Sequence, residues 1–234
     1  FNRIYDITAS GNFEGGSIPN QIQNDTLDES MTPHLEKLYQ YRKNRARLHK
    51  DDKILTAWNA LMIAALCQAA SALSCGAYLD AARRAASFIE ENLAAGDCLF
   101  ASFRDGKRSS AGFLDDYAFY VYALLALYQA TLEEAYLERA LALTNKTIAA
   151  FFDPEEGGFY VYGTDGEQLP LRPKEAYDGA IPSGNAVMTM NLVYLSLLSF
   201  YEFDAVLEQQ LRFMDREAAD YPAGHTFYLL AALQ

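Results

Sequence analysis

Five aspartates stand where this chain could do chemistry. Asp51 and Asp52 form one doublet, Asp115 and Asp116 a second, and Asp178 stands alone, each shortly before a long uncharged segment. Two carboxyls facing one bond can act as general acid and general base. Glycosidic cleavage uses such a pair, roughly 5–5.5 Å apart for retention and 6.5–9.5 Å for inversion. Asp52, Asp116 and Asp178 are the candidate catalytic carboxyls, and His49 is the candidate proton-transfer histidine. Asp51, Asp115, Trp58, Asn59, Tyr117, Ser183 and Asn185 lie in the same short stretches. They offer acids, amides, hydroxyls and flat apolar faces, the groups a polyhydroxylated ligand meets.

Each of these residues also has a structural reading. Aspartate at a helix start accepts from free backbone N–H groups and complements the helix dipole. A cap needs one carboxylate, so the second Asp of each doublet is the one left for chemistry. Ser183, behind Pro182, reads as an N-cap, and Trp58 as core packing. Asn59 and Asn185 fall inside apolar helices, where an unpaired amide is costly, so each needs a partner. No metal-ligand cluster, phosphate loop or nucleophile elbow is present, so the reading includes neither metal nor cofactor.

The elements that must position these residues alternate between two kinds of helix. Ile54 to Ser74, Tyr117 to Leu132 and Gly179 to Tyr201 carry no charge, and such helices are expected to be buried on all sides. Each is followed by an amphipathic helix, over Ala77 to Ala95, Ala135 to Phe152 and Phe203 to Asp220. The links within each pair are one or two residues long, which predicts antiparallel αα-hairpins. The returns are longer and Gly-rich, with hairpin signals at Asp105-Gly106 and Asp165-Gly166 and a similar loop at Asn12 to Gly16. A helix over Thr32 to Arg45 and another from Ala223 to Leu233 complete the set.

This pattern predicts an all-α fold: a partial (α/α)6 toroid of antiparallel αα-hairpins with short β-hairpin loops on one rim, forming one domain over 1–234. About eight helices against the twelve of a closed ring imply missing walls, exposed apolar helix faces and possible self-association. The chain opens on Phe1 without a signal-peptide pattern, so it is expected to begin inside a longer gene product. A net charge of -12 repels phosphate backbones and excludes nucleic acid as a partner. No stretch reaches the roughly 20 apolar residues of a membrane span. Cys67, Cys75 and Cys98 form neither a disulfide framework nor a C-x-x-C pair, which fits a reducing, cytoplasmic setting.

Four ordered segments resemble one family. Asp51-Asp52-Lys53-Ile54-Leu55-Thr56-Ala57-Trp58-Asn59-Ala60-Leu61-Met62 resembles its D-D-K-x-L-T-S-W-N-G-L-M signature. Phe113 to Phe119 matches F-L-D-D-Y-A-F, Asp178 to Asn185 matches D-G-A-x-P-S-G-N, and Gly11 to Gly15 matches G-N-F-E-G. The family is the thioredoxin-domain-containing group related to spermatogenesis-associated protein 20. The resemblance implies a six-hairpin toroid similar to glycosidases and N-acylglucosamine 2-epimerases, with an N-terminal thioredoxin-like domain as partner in full-length members. Ala57 and Ala186 replace serines of the pattern, Ala60 a glycine and Leu48 a proline. Three functions fit: a carbohydrate-active enzyme or sugar-binding domain, a non-catalytic scaffold for the thioredoxin-like domain, and histidine-driven epimerisation through His49 with His34.

Overall fold

A computed structural model describes residues 1–24, 29–46, 48–164, 166 and 171–234, which fall into two compact units, Phe1–Asp51 and Asp52–Gln234. In the first, Asn12 organises a loop. Its Oδ1 accepts from the Ile18 N–H at 2.8 Å and its Nδ2 donates to the Ile18 carbonyl at 3.0 Å. Phe13 bridges to Gly16 around a tight turn at Glu14 and Gly15. The helix α1 (Thr32–Lys43) stops two residues short of the predicted Arg45 and buries none of its residues.

The second unit contains the hairpins. α2 (Thr56–Leu73) is followed by α3 (Gly76–Asn92), α4 (Leu114–Thr131) by α5 (Glu134–Phe151), and α6 (Gly184–Leu197) by α7 (Asp204–Ala219), with α8 (Thr226–Ala232) last. The uncharged helices α2, α4 and α6 pack on one another in that order, and α8 packs on α6. Each amphipathic helix packs on the inner helix before it through one stripe: Ala82, Ala86 and Ile89 on α3, Leu143, Thr147 and Ala150 on α5, Phe213, Met214 and Ala218 on α7. This is the inner and outer layering of an (α/α)6 toroid.

α4 lies between two inner neighbours and is buried nearly all round, including Phe119, Tyr120, Leu124 and Leu127. Truncating Leu127 to Ala costs about 2–5 kcal/mol at such a site. α2 departs from the expectation that a charge-free helix is buried on all sides. It buries Thr56, Ala60, Ile63, Ala64 and Cys67, while Trp58 is 63% exposed, Met62 58% and Leu73 66%. The cause is position: within this unit α2 has an inner neighbour, α4, on one flank only. Among the described residues, α2 is also the one helix long and apolar enough to cross a membrane by length and composition.

The connections bring short strands to the starts of the inner helices. After α3, β2 (Ala94–Ala95) pairs with β3 (Cys98–Leu99), and β4 (Ser102–Arg104) with β5 (Lys107–Arg108). Asp105 and Gly106 join β4 to β5 with φ of 50° and 74°, the two positive φ values of a type I′ hairpin turn. Ile54 and Leu55, read from sequence as helix, are instead a strand that pairs antiparallel with Phe103 and Ser102. The Leu55 backbone is extended to make that pair, and α2 begins at the next residue. After α5, Phe152 bridges to Phe159 and the Leu114 N–H donates to the Val161 carbonyl. The hairpin expected at Asp165-Gly166 falls on Asp165, outside the described residues.

Candidate functional site

Three carboxylates stitch the inner helices together at their starts. Asp116 sits in the first turn of α4; its Oδ2 accepts from the Phe113 N–H at 2.9 Å and its Oδ1 from the Ala57 N–H of α2 at 3.0 Å. Asp115, beside it, accepts from the Gly184 N–H at the first turn of α6. Asp178 accepts from the Ser183 N–H at 2.9 Å and from the Phe227 N–H of α8 at 2.7 Å. Each acid therefore answers amides that a helix start leaves unpaired. The starts of α2, α4, α6 and α8 consequently share one edge of the unit. Gly184 is fixed by this arrangement, since a Cβ there would lie 2.5 Å from Asp115 Oδ1.

The doublet divides its labour in the order opposite to the sequence reading. The second acid, Asp116, is the cap, with both oxygens bonded to backbone, and the first, Asp115, has the more open carboxyl. Position in the first turn decides this: Asp116 is three residues beyond Phe113 and can reach back to its N–H. Burial pushes the Asp115 carboxyl up to about 6, helped by the nearby charge of Glu175 and opposed by the Gly184 N–H. Burial lifts Asp116 to about 7, outweighing the two N–H groups that favour its charged form.

A cavity of about 350 Å³ opens beside this pair, lined by Trp58, Phe113, Asp115, Asp116 and Tyr162, with Leu55, Ala57, Ala101 and Val161. Trp58 is held there by the first turn of α2, not in the core. Asn59 donates to the Leu55 carbonyl at 2.8 Å and so serves the helix start. Tyr117 is buried, and its hydroxyl accepts from the Leu99 N–H at 2.9 Å. Asp52 is exposed two residues before the Ile54–Leu55 strand, its Oδ1 2.8 Å from Arg104 Nε. His49 and Asp51 are exposed residues of the first unit.

Ser183 and Asn185, offered by the sequence as ligand contacts, are buried and bonded to backbone. Ser183 Oγ accepts from the Ala186 N–H and donates to the Ala176 carbonyl. The Asn185 carboxamide accepts from the Phe159 N–H at 2.7 Å and donates to the carbonyls of Phe159 and Glu175. It pins the α5–α6 connection to α6, as Asn12 pins its own loop. Two rim residues escape the sequence reading. Glu175 stands close enough to Asp115 to raise its proton affinity. His225 stands at the residue before α8, its Nδ1 3.0 Å from the Tyr221 carbonyl and its ring edge-on to Tyr177. Reading what precedes the fourth inner helix, as for the other three, exposes His225. Among the described residues, no three His, Cys, Asp or Glu side chains converge as a metal site.

Over 172 residues the chain is 38% identical to spermatogenesis-associated protein 20 of Mus musculus, a match covering 69% of this chain and 22% of that protein. The chain is a homologue of spermatogenesis-associated protein 20. The human protein is 37% identical over the same length. The homologous stretch amounts to about a fifth of the length of these curated relatives. No family model matches the sequence. Among solved structures, the chain is similar to a family 76 α-mannanase of Bacteroides thetaiotaomicron, with a TM-score of 0.58 at 14% identity over 74% of this chain and 47% of that one. Cellobiose 2-epimerase of Bacillus thermoamylovorans gives 0.59 at 19% identity over 71% of this chain and 45% of the epimerase. These likenesses are of fold alone: the hairpins of this chain are arranged like those of the (α/α)6 glycosidases and epimerases.

Proposed function

We propose that the cavity beside Asp115 binds a carbohydrate and that this region of the homologue is carbohydrate-active, either glycosidase-like or epimerase-like. The observation that carries the reading is one incompletely bonded carboxyl, Asp115, in a cavity that Trp58, Phe113 and Tyr162 also line. Aromatic faces suit the C–H faces of a sugar ring, and a buried acid suits a hydroxyl or a glycosidic oxygen. A carboxyl pushed up to about 6 carries its proton near neutral pH more often than an ordinary one. In the hydrolytic version Asp115 protonates the departing oxygen, while Glu175 takes a proton from the water that adds to the sugar carbon. Asp116 and Asp178 position the helix starts, and Asp52 serves through its pairing with Arg104 on the hairpin beside the cavity. The solved structures that share the fold include enzymes named for mannan and cellobiose. Three cysteines free of disulfides suit a cytoplasmic setting.

Trp58 is the only tryptophan, so its fluorescence reports on the cavity directly. Titration with a panel of mono- and disaccharides is expected to shift or quench that emission saturably, and Asp115→Asn is expected to weaken the response. A panel without any response at millimolar concentration sinks the carbohydrate reading. One set of observations favours a second reading, a scaffold for a thioredoxin-like domain: Asp116, Asp178, Ser183 and Asn185 all serve backbone. That reading expects a silent panel and a measurable affinity for the isolated thioredoxin-like domain of a full-length relative.

A further inference from the structure

We infer that the sugar cavity is one half of a two-part site, and that the other half takes an apolar aglycone, so that the ligand is an alkyl or aryl glycoside. The inference rests on the carbohydrate reading above and specifies its substrate class. A second cavity, of about 420 Å³, lies between the 98–113 loop and Tyr162, Gly163 and Gly166, against the end of α5. Its volume is within the roughly 300–1,000 Å³ typical of ligand pockets. The two cavities have Phe113 and Tyr162 in common. Those two rings meet edge-on with centroids 5.6 Å apart, so the partition is a single aromatic pair. Phe113 is 38% exposed and forms the saddle over which a ligand can lie in both.

The two halves differ in chemistry. The sugar half holds Asp115 and Asp116. The second half is walled by Leu99, Phe100, Tyr117 and Phe151, and no Asp, Glu, Lys, Arg or His is among its described lining residues. The Tyr117 hydroxyl, its most deeply placed phenol, is engaged by the Leu99 N–H. A free sugar entering this half would meet no charged partner and few hydroxyls, those of Ser110 and the tyrosines, whereas an alkyl chain or a phenyl ring would leave water for a mainly apolar wall. A glycoside bound across Phe113 satisfies both halves, with its glycosidic oxygen near the partition and within the same small region as Asp115.

Calorimetric titration with methyl, hexyl and phenyl β-D-glucopyranosides and α-D-mannopyranosides tests this, with hexan-1-ol as the apolar fragment alone. Hexyl and phenyl glycosides are expected to bind at least tenfold more tightly than the methyl glycoside of the same sugar. The upper bound is about fourfold per methylene, the equivalent of ~0.8 kcal/mol at 1.4 kcal/mol per tenfold. Ala111→Trp, which fills the second cavity from its rim, is expected to erase the chain-length gain and leave methyl glycoside affinity unchanged. Equal affinities for methyl, hexyl and phenyl forms overturn the two-part site and leave the carbohydrate reading intact. A chain-length gain that survives Ala111→Trp also overturns it, because the chain then lies elsewhere. Binding of hexan-1-ol with no glycoside bound, or silence throughout, sinks the carbohydrate reading and the inference with it.

Discussion

The α2–α4 half of the rim and the α6–α8 half are built to the same plan and end differently. In each, one aspartate bonds the starts of two inner helices: Asp116 joins α4 to α2, and Asp178 joins the approach to α6 to α8. In the α6–α8 half that single acid is fully occupied, and Ser183 and Asn185 are locked onto loop backbone. The α2–α4 half has a doublet. With Asp116 engaged, Asp115 is left with the Gly184 N–H and a cavity. The difference teaches that an acid at a helix start becomes available for chemistry only when capping leaves one over.

The comparison can be broken in four ways, taken from the largest expected effect downward. Asn185→Leu strips the Phe159 and Glu175 backbone of partners in a buried place, at about 1–3 kcal/mol for each orphaned group. Urea denaturation is expected to register a loss of about 3 kcal/mol or more. A loss no larger than that of a surface substitution contradicts the locked half. Asp116→Ala removes acceptors from two helix starts at about 1 kcal/mol each, so a loss of about 2 kcal/mol is expected.

The third way uses pH. Asp115 and Asp116 hold protons in the folded state to about 6 and 7, whereas unfolded aspartate releases them near 3.8. The folded chain therefore binds more protons between about pH 4 and 7, and these two groups make stability fall as pH rises through that window. Asp115→Asn is expected to flatten this fall by about 1–2 kcal/mol across the window. An unchanged urea midpoint profile in Asp115→Asn refutes the strained-acid picture. The smallest effect belongs to Trp58→Ala, which should shift stability by less than about 0.5 kcal/mol, being exposed, yet abolish saccharide binding measured by calorimetry.

The layering was legible from charge alone: the uncharged segments are α2, α4 and α6, and the stripes on their partners face inward. The boundaries were less so. α6 begins at Gly184, not Gly179, because Asp178 to Ser183 form the loop that reaches α8. Ile54 and Leu55 look helical until Ser102 and Phe103 arrive from 47 or more residues away to pair with them. The cap within the doublet, the exposure of Trp58 and the nearness of Glu175 to Asp115 likewise depend on contacts between distant segments, which no local pattern encodes. Glu175, three residues before Asp178, looks like ordinary loop charge until the fold brings it near enough to raise the Asp115 proton affinity.

The Cys67 thiol is buried between α2 and its neighbours, and desolvation pushes it up to about 11, whereas Cys98 stands exposed at the rim. A thiol so protonated and so covered reacts with alkylating reagents only when the inner layer opens. The molecule thus carries its own clock: the slow modification of Cys67, timed against the prompt modification of Cys98, reads how often the toroid wall breathes.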